Sequence, residues 1–221
     1  MAGARNGPRG AGRPRVTSPE AVEQVAIQLL LREGYANVSV DQIAAAAGVG
    51  RTTFFRYFPS KAAVVWSAFD HANRRLAELL ARADGACPPM TAVREAVVGS
   101  TRDAVDTRGV WLERFRLLDT STALRANAAE HWETWRATVA AFIAHRIGAA
   151  SQDVVPTAIA GAVQGTYIAE LRSWLLLTTT TDDLLERLRR SLTTVGDVLD
   201  TLTAPPRGAD GASSAPTSGG R

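Results

Sequence analysis

Between positions 51 and 61 the chain reads RTTFFRYFPSK, placing two arginines, two threonines, a tyrosine and a lysine within eleven residues. Guanidinium groups can grip guanine O6 and N7 in a bidentate pair. Hydroxyls can bond phosphate, and a threonine methyl can pack on thymine. At helical spacing Phe54 and Phe58 share one side, leaving Arg51, Thr52, Phe55 and Arg56 on the other. Arg51 and Arg56 are therefore candidates for direct base readout. Lys61 follows Pro59 and Ser60, at a helix start whose dipole and free N–H groups favour a phosphate.

Such a face needs a support. Ser39 and Gln42 form a capping box, after which Val40, Ile43, Ala44 and Ala47 recur at i, i+3, i+4 and i+7. Gly48 then supplies a turn that requires a left-handed backbone, and Val49 can plug the angle before the second helix begins at Arg51. Helix, tight turn and second helix make a DNA-reading pair. Upstream, Thr17, Ser18, Pro19 and Glu20 announce another helix, with Val22, Val25, Ala26, Leu29 and Leu30 along one side and Gly34 closing it.

AAAAGVGRTTFFRYFPSK resembles the DNA-binding core of the TetR family of bacterial transcriptional regulators. The resemblance implies turn positions at Gly48 and Val49, contacts from Arg51 and Thr53, core positions at Phe54 and Phe58, and phosphate contacts from Tyr57 and Lys61. With Ser39, Gln42, Thr52, Phe55 and Arg56 these complete the expected DNA-binding set. Two positions depart from the pattern: Gly50 replaces a frequent capping serine, and Phe55 replaces the usual tyrosine, removing a hydroxyl.

Composition bounds the rest. A chain of 221 residues, 46% hydrophobic and 21% charged, has length for a sizeable core and reads as one or two globular domains. A net charge of +3 is too small for the whole surface to attract nucleic acid, so the attraction must be local. One cysteine excludes an internal disulfide, and no apolar run suits a membrane span or export leader, so the expected location is cytoplasmic. Residues 1–16 are rich in glycine, proline, alanine and arginine and read as a disordered basic arm. Arg5, Arg9, Arg13 and Arg15 can follow a duplex or stay solvated. Residues 204–221 read as a disordered tail.

From Ser60 a helix runs to about Ala83, carrying Lys61 at its start and continuing into the second domain as a lever. The Gly85–Pro89 stretch breaks the chain, and helical patterns resume over about Thr91–Asp106, Gly109–Leu118, Thr122–Ile147, Val154–Leu177 and Asp182–Thr203, the last capped by Thr181. The expected fold is all-α with about nine helices: a three-helix helix-turn-helix domain over 17–61 and a larger helical effector-binding and dimerisation domain over 62–203. Trp111, Phe115, Trp132, Trp135, Phe142, Tyr167 and Trp174 are candidates to line an apolar ligand cavity, although rings at helical spacing are more often core. Ala158, Gly161, Ala162, Gly165 and Ala169 keep one side of the penultimate helix small. Leu184, Leu188, Leu192, Val195 and Leu199 give the last helix bulk, and the family resemblance implies that these two helices pair in a homodimer. A dimer also suits a palindromic operator, whose half-sites lie about 34 Å apart.

RTTFFRYFPSKAAVVW, RFRLL and WETWRATVAAFIAHR are similar to regulators associated with the mycofactocin system, which implies an acyl-CoA effector, with Arg114, Arg116 or Arg136 toward its phosphates. Catalysis finds no support. GVGRTT lacks a preceding strand and a third glycine, and no GxSxG elbow occurs. His71, His131 and His145 lack metal-ligand spacing, and Glu130, His131 and Glu133 read as a solvated turn. No cofactor, metal or enzyme activity is expected. The expected function is a ligand-responsive repressor on double-stranded DNA, released by a hydrophobic small molecule. The competing class is a helical adaptor whose basic hairpin binds an acidic protein without sequence preference.

Overall fold

The computed structural model describes residues 18–105, 110–177 and 180–203, leaving aside the side chains of residues 110–113 and 119. The expected arm and tail lie outside these residues, as does the side chain of Trp111. Nine α-helices and one short 3-10 turn account for the described elements, with no strand among them: α1 Pro19–Glu33, α2 Val40–Ala47, α3 Arg51–Tyr57, α4 Lys61–Ala81, α5 Pro89–Val105, α6 Val110–Thr120, α7 Thr122–Ile147, α8 Val154–Leu177 and α9 Thr181–Thr203.

Local chemistry sets most boundaries. Ser18 Oγ accepts from Ala21 N at the start of α1, and Ser60 Oγ from Ala63 N at the start of α4. Gly34 ends α1 at φ +85° and Gly48 ends α2 at φ +70°, a backbone that L side chains rarely adopt. Two starts differ from expectation. Helix α9 is capped by Thr180, one residue before Thr181: its Oγ1 accepts from Asp183 N while Asp183 Oδ2 accepts from Thr180 N. Helix α5 begins at Pro89, two residues before Thr91, because proline fits a first turn.

Two cores result. The smaller gathers Val22, Ala26, Ile27 and Leu30 of α1, Ile43, Ala44 and Ala47 of α2, Phe54 and Phe58, and Val64 and Val65 of α4. Leu117 of α6 and Leu124 of α7 belong to it as well, so a line drawn after residue 61 runs through this core. The larger core is built by α4, α5, α7, α8 and α9, with α5 seated between α4 and α9 and α7 against α8. Leu184, Leu188 and Leu192 face into it, so the bulky side of α9 is used within the chain. The small side of α8 is left outward: Ala158, Gly165 and Ala169 are exposed, and a Cβ at Gly161 or Gly165 would meet nothing within 4 Å.

Candidate nucleic-acid interface

Helix α3 is only seven residues long, and its N-cap Gly50 offers no side-chain hydrogen bond. Too short to stand alone, it is held by Phe54, fully buried in the smaller core, and by the backbone of the turn, where Val49 N donates to Ala44 O at 2.9 Å. Helix α2 is fixed in turn by its capping box: Ser39 Oγ accepts from Gln42 N at 3.2 Å and Gln42 Oε1 from Ser39 N at 2.7 Å. Ser39 and Gln42, placed in the DNA-binding set, thus also set the start of the supporting helix.

The outward side of α3 carries Arg51, Thr52, Phe55 and Arg56, all exposed, with Thr53 and Tyr57 half-buried beside them. Arg51 is ordered from two directions. Its Nη1 lies 2.6 and 2.8 Å from the two carboxylate oxygens of Asp41 on α2, and its guanidinium sits 5.3 Å from the centroid of the Phe55 ring. Arg56 rests over Tyr57 at 5.1 Å, with Nη2 donating to the phenol oxygen at 3.3 Å. Both guanidiniums stay in solvent, where a base edge or phosphate can reach them.

Lys61 is arranged differently. Its ammonium turns to the segment between α1 and α2, donating to Tyr35 O and Val38 O at 2.7 Å each and lying 4.2 Å from the Tyr35 ring centroid. Two of its three protons are engaged with the chain, and burial lowers its pKa. Spacing pointed Lys61 at a phosphate; here it ties the loop before α2 to the start of α4. Neither Asp41 nor Tyr35 was singled out from the sequence, because a partner ten or twenty-six residues away leaves no periodic signal.

The expected ligand rings lie in the larger core. Trp135 and Tyr167 stack with centroids 5.5 Å apart, Trp132 meets both edge-on, and Phe69 closes on Trp132 at 4.6 Å. Trp174 is buried with its Nε1 donating to Thr180 O at 3.1 Å, Phe115 packs against the same core half-buried, and Phe142 lies under Arg146. Neither described cavity is bounded by any of these rings. Of the arginines placed toward effector phosphates, Arg114 is buried against Glu23, Arg136 pairs with Glu133, and Arg116 is exposed. His131 stands 2.7 Å from Asp70 and stacks on Trp66 at 4.1 Å, so it joins α7 to α4 and is no solvated turn residue. Among the described residues no cluster of three or more His, Cys, Asp or Glu could hold a metal ion, and no helix is long and apolar enough to cross a membrane.

Residues 24–67 match the family of bacterial regulatory proteins named for TetR, and residues 87–200 match the MftR C-terminal domain. The mycofactocin biosynthesis transcriptional regulator MftR of Mycobacterium tuberculosis is 33% identical over 86% of this chain and 96% of its own length. The regulator TcmR of Streptomyces glaucescens is 29% identical over 78% of this chain and 80% of its length. In fold, the chain is similar to the transcriptional repressor FadR of Thermus thermophilus, solved in complex with lauroyl-CoA, with a TM-score of 0.53 and 21% identity over 89% of this chain and all of that one.

Proposed function

From the premise that this chain belongs to the TetR family of transcriptional regulators, we propose that it is a ligand-responsive repressor. It binds a palindromic operator as a homodimer in the cytoplasm and is released by a hydrophobic small molecule. The family regulates transcription through a helix-turn-helix and has no catalytic role. The observation that carries the finer reading is the outward face of α3. Two solvent-facing guanidiniums and two threonines share a helix that Phe54 and the Gly48 turn hold rigidly on the rest of the unit.

Arg51 and Arg56 read base edges, while Thr52, Thr53 and Tyr57 position the helix on phosphates. The dimer forms through the outward side of α8 and α9, where Val154, Leu176, Leu177, Val198 and Leu202 are exposed next to the small residues of α8. The effector is an acyl-CoA or similarly apolar molecule that enters the helical body by parting its stacked rings. The FadR–lauroyl-CoA neighbour and the MftR-type body support that choice. Because α4 begins beneath the reading unit and ends in the larger core, a ligand that prefers a tilted α4 mis-spaces the two α3 helices of the dimer. A coupling of about 1–3 kcal/mol suffices.

Titration of the DNA upstream of the gene against unrelated DNA of equal length, at two salt concentrations, tests this reading. Preference for the upstream DNA should survive the higher salt. Arg51→Ala should lose about 1–3 kcal/mol of affinity and relax the base preference at one position in each half-site. Equal, salt-erased binding to both DNAs would instead support an acidic protein partner. Unchanged affinity and preference in Arg51→Ala would remove Arg51 from the readout.

A further inference from the structure

We propose that the cavity where α1, α4 and α6 meet is a binding site for a small aromatic monocarboxylate, separate from the ring-filled body in which the effector is placed. The cavity holds about 400 Å³, within the range of small-molecule sites. One side of it is a buried ion pair. Arg114 Nη2 of α6 lies 2.5 Å from Glu23 Oε1 of α1, with side chains 8% and 17% exposed, and Ser67 Oγ of α4 donates to the same carboxylate oxygen. Three helices from both cores thus converge on one carboxylate, which leaves the cavity with a fixed polar floor.

The remaining walls divide by chemistry. Phe58, Ala68 and Ala104 give an apolar surface on which a ring can lie, gaining the edge or face contact that aromatic pairs favour. Arg74 and His71, one turn apart on α4, also line the cavity, with Arg74 Nη2 3.4 Å from His71 Nδ1. Among the described residues Arg74 has no carboxylate partner, whereas the charge of Arg114 is met by Glu23. A ligand carboxylate would supply the missing partner in a charge-assisted bond. Glu20, in the first turn of α1, also lines the cavity. One arginine without a carboxylate partner suits a ligand with one carboxylate group.

Occupancy would bridge α1 to α4 at the joint through which any movement of the body must reach the reading unit. The test uses the full chain without DNA, so it can succeed or fail independently of the operator reading. Titration with 2-naphthoate, followed by its fluorescence anisotropy, is compared with the isosteric uncharged 2-naphthamide. The expected result is a preference for naphthoate of about tenfold, as for a hydrogen bond to a charged group, that disappears in Arg74→Gln. Binding should be lost in Ala68→Phe, which fills the cavity, provided that its melting transition remains cooperative. Ala104→Leu fills it from α5 and serves if Ala68→Phe does not fold. Absence of binding at millimolar naphthoate, equal binding of the amide, or naphthoate binding that survives the folded filling variant would each overturn the proposal.

Discussion

The reading unit and the helical body use polar groups in opposite ways. On α2 and α3 the charged side chains stay in solvent, and the nearest partners are local: the Ser39–Gln42 box, Asp41 across the turn from Arg51, and Tyr57 next to Arg56. In the body, polar groups pair over long distances and partly out of water. Thr101 reaches Tyr167 at 3.3 Å, Glu170 takes Arg187 and Ser191, and Asp70 meets His131. An outward polar face stays available for an external partner, while internal pairs spend their capacity on fixing helices. The two regions meet where this contrast breaks down, at Glu23, Ser67 and Arg114, beside Leu117 and Leu124 of the smaller core.

That joint offers the largest test of the contrast. Glu23→Ala removes a carboxylate partner of the buried Arg114 guanidinium, a change that costs about 3 kcal/mol or more. For a chain of this size that lowers the melting temperature by roughly 6–12 °C. The double replacement Glu23→Leu with Arg114→Met, which removes both charges, should recover most of the loss in thermal melts. A loss under about 1 kcal/mol in the single variant would make the pair behave like a surface bridge and would remove the joint as a distinct third region.

Tyr167 sharpens the description of the body at alkaline pH. Its phenol is fully buried, and desolvation pushes its pKa from 10.0 up to about 12, against a smaller opposing effect of the Thr101 hydrogen bond. A folded pKa above the unfolded one means that the native state holds its proton longer. The stabilisation is therefore complete below pH 10 and is lost as pH rises from about 10 to about 12, by up to about 3 kcal/mol. Tyr167→Phe should cost about 1 kcal/mol at neutral pH through the lost hydrogen bond, yet lose less between pH 10 and 12 in urea titrations. Lys61 in the reading unit has the opposite sign: burial lowers its pKa, so its contribution grows as pH rises through that lowered value toward 10.5. An unchanged alkaline slope in Tyr167→Phe would show the phenol to be hydrated in solution.

The same contrast explains what could be read in the sequence. Helix starts at Ser18, Ser39 and Ser60 and the turn at Gly48 depend on residues within four positions of each other, and the pattern shows them directly. Helices α7 and α8 were legible for a different reason: neither carries a clean apolar stripe, but the left-handed Gly148 and the polar residues after it separate two long helix-forming runs. The destination of a side chain was less legible. Ring types along α7 and α8 are compatible with lining a cavity or with packing on one another, and their spacing does not show that Trp135 stacks on Tyr167. Likewise, nothing near Lys61 in sequence points to Tyr35 and Val38, nor anything near Glu23 to Arg114.

The smallest expected effect tests whether α3 is set locally or by its core. Gly50 has φ −77° and ψ 156°, an extended conformation that serine adopts without strain, and a Cβ there would meet no atom within 4 Å. Gly50→Ser would add an oxygen able to accept from the N–H of Thr52 or Thr53, which is worth a few tenths of a kcal/mol over glycine. A small rise in the denaturation midpoint with unchanged operator affinity is expected, because Phe54 already fixes the helix. A gain above about 1 kcal/mol together with tighter DNA binding would mean that the first turn of α3 frays in the free protein. Burial of Phe54 would then anchor only the second half of the helix, and the segment carrying Arg51 would take its final shape on DNA.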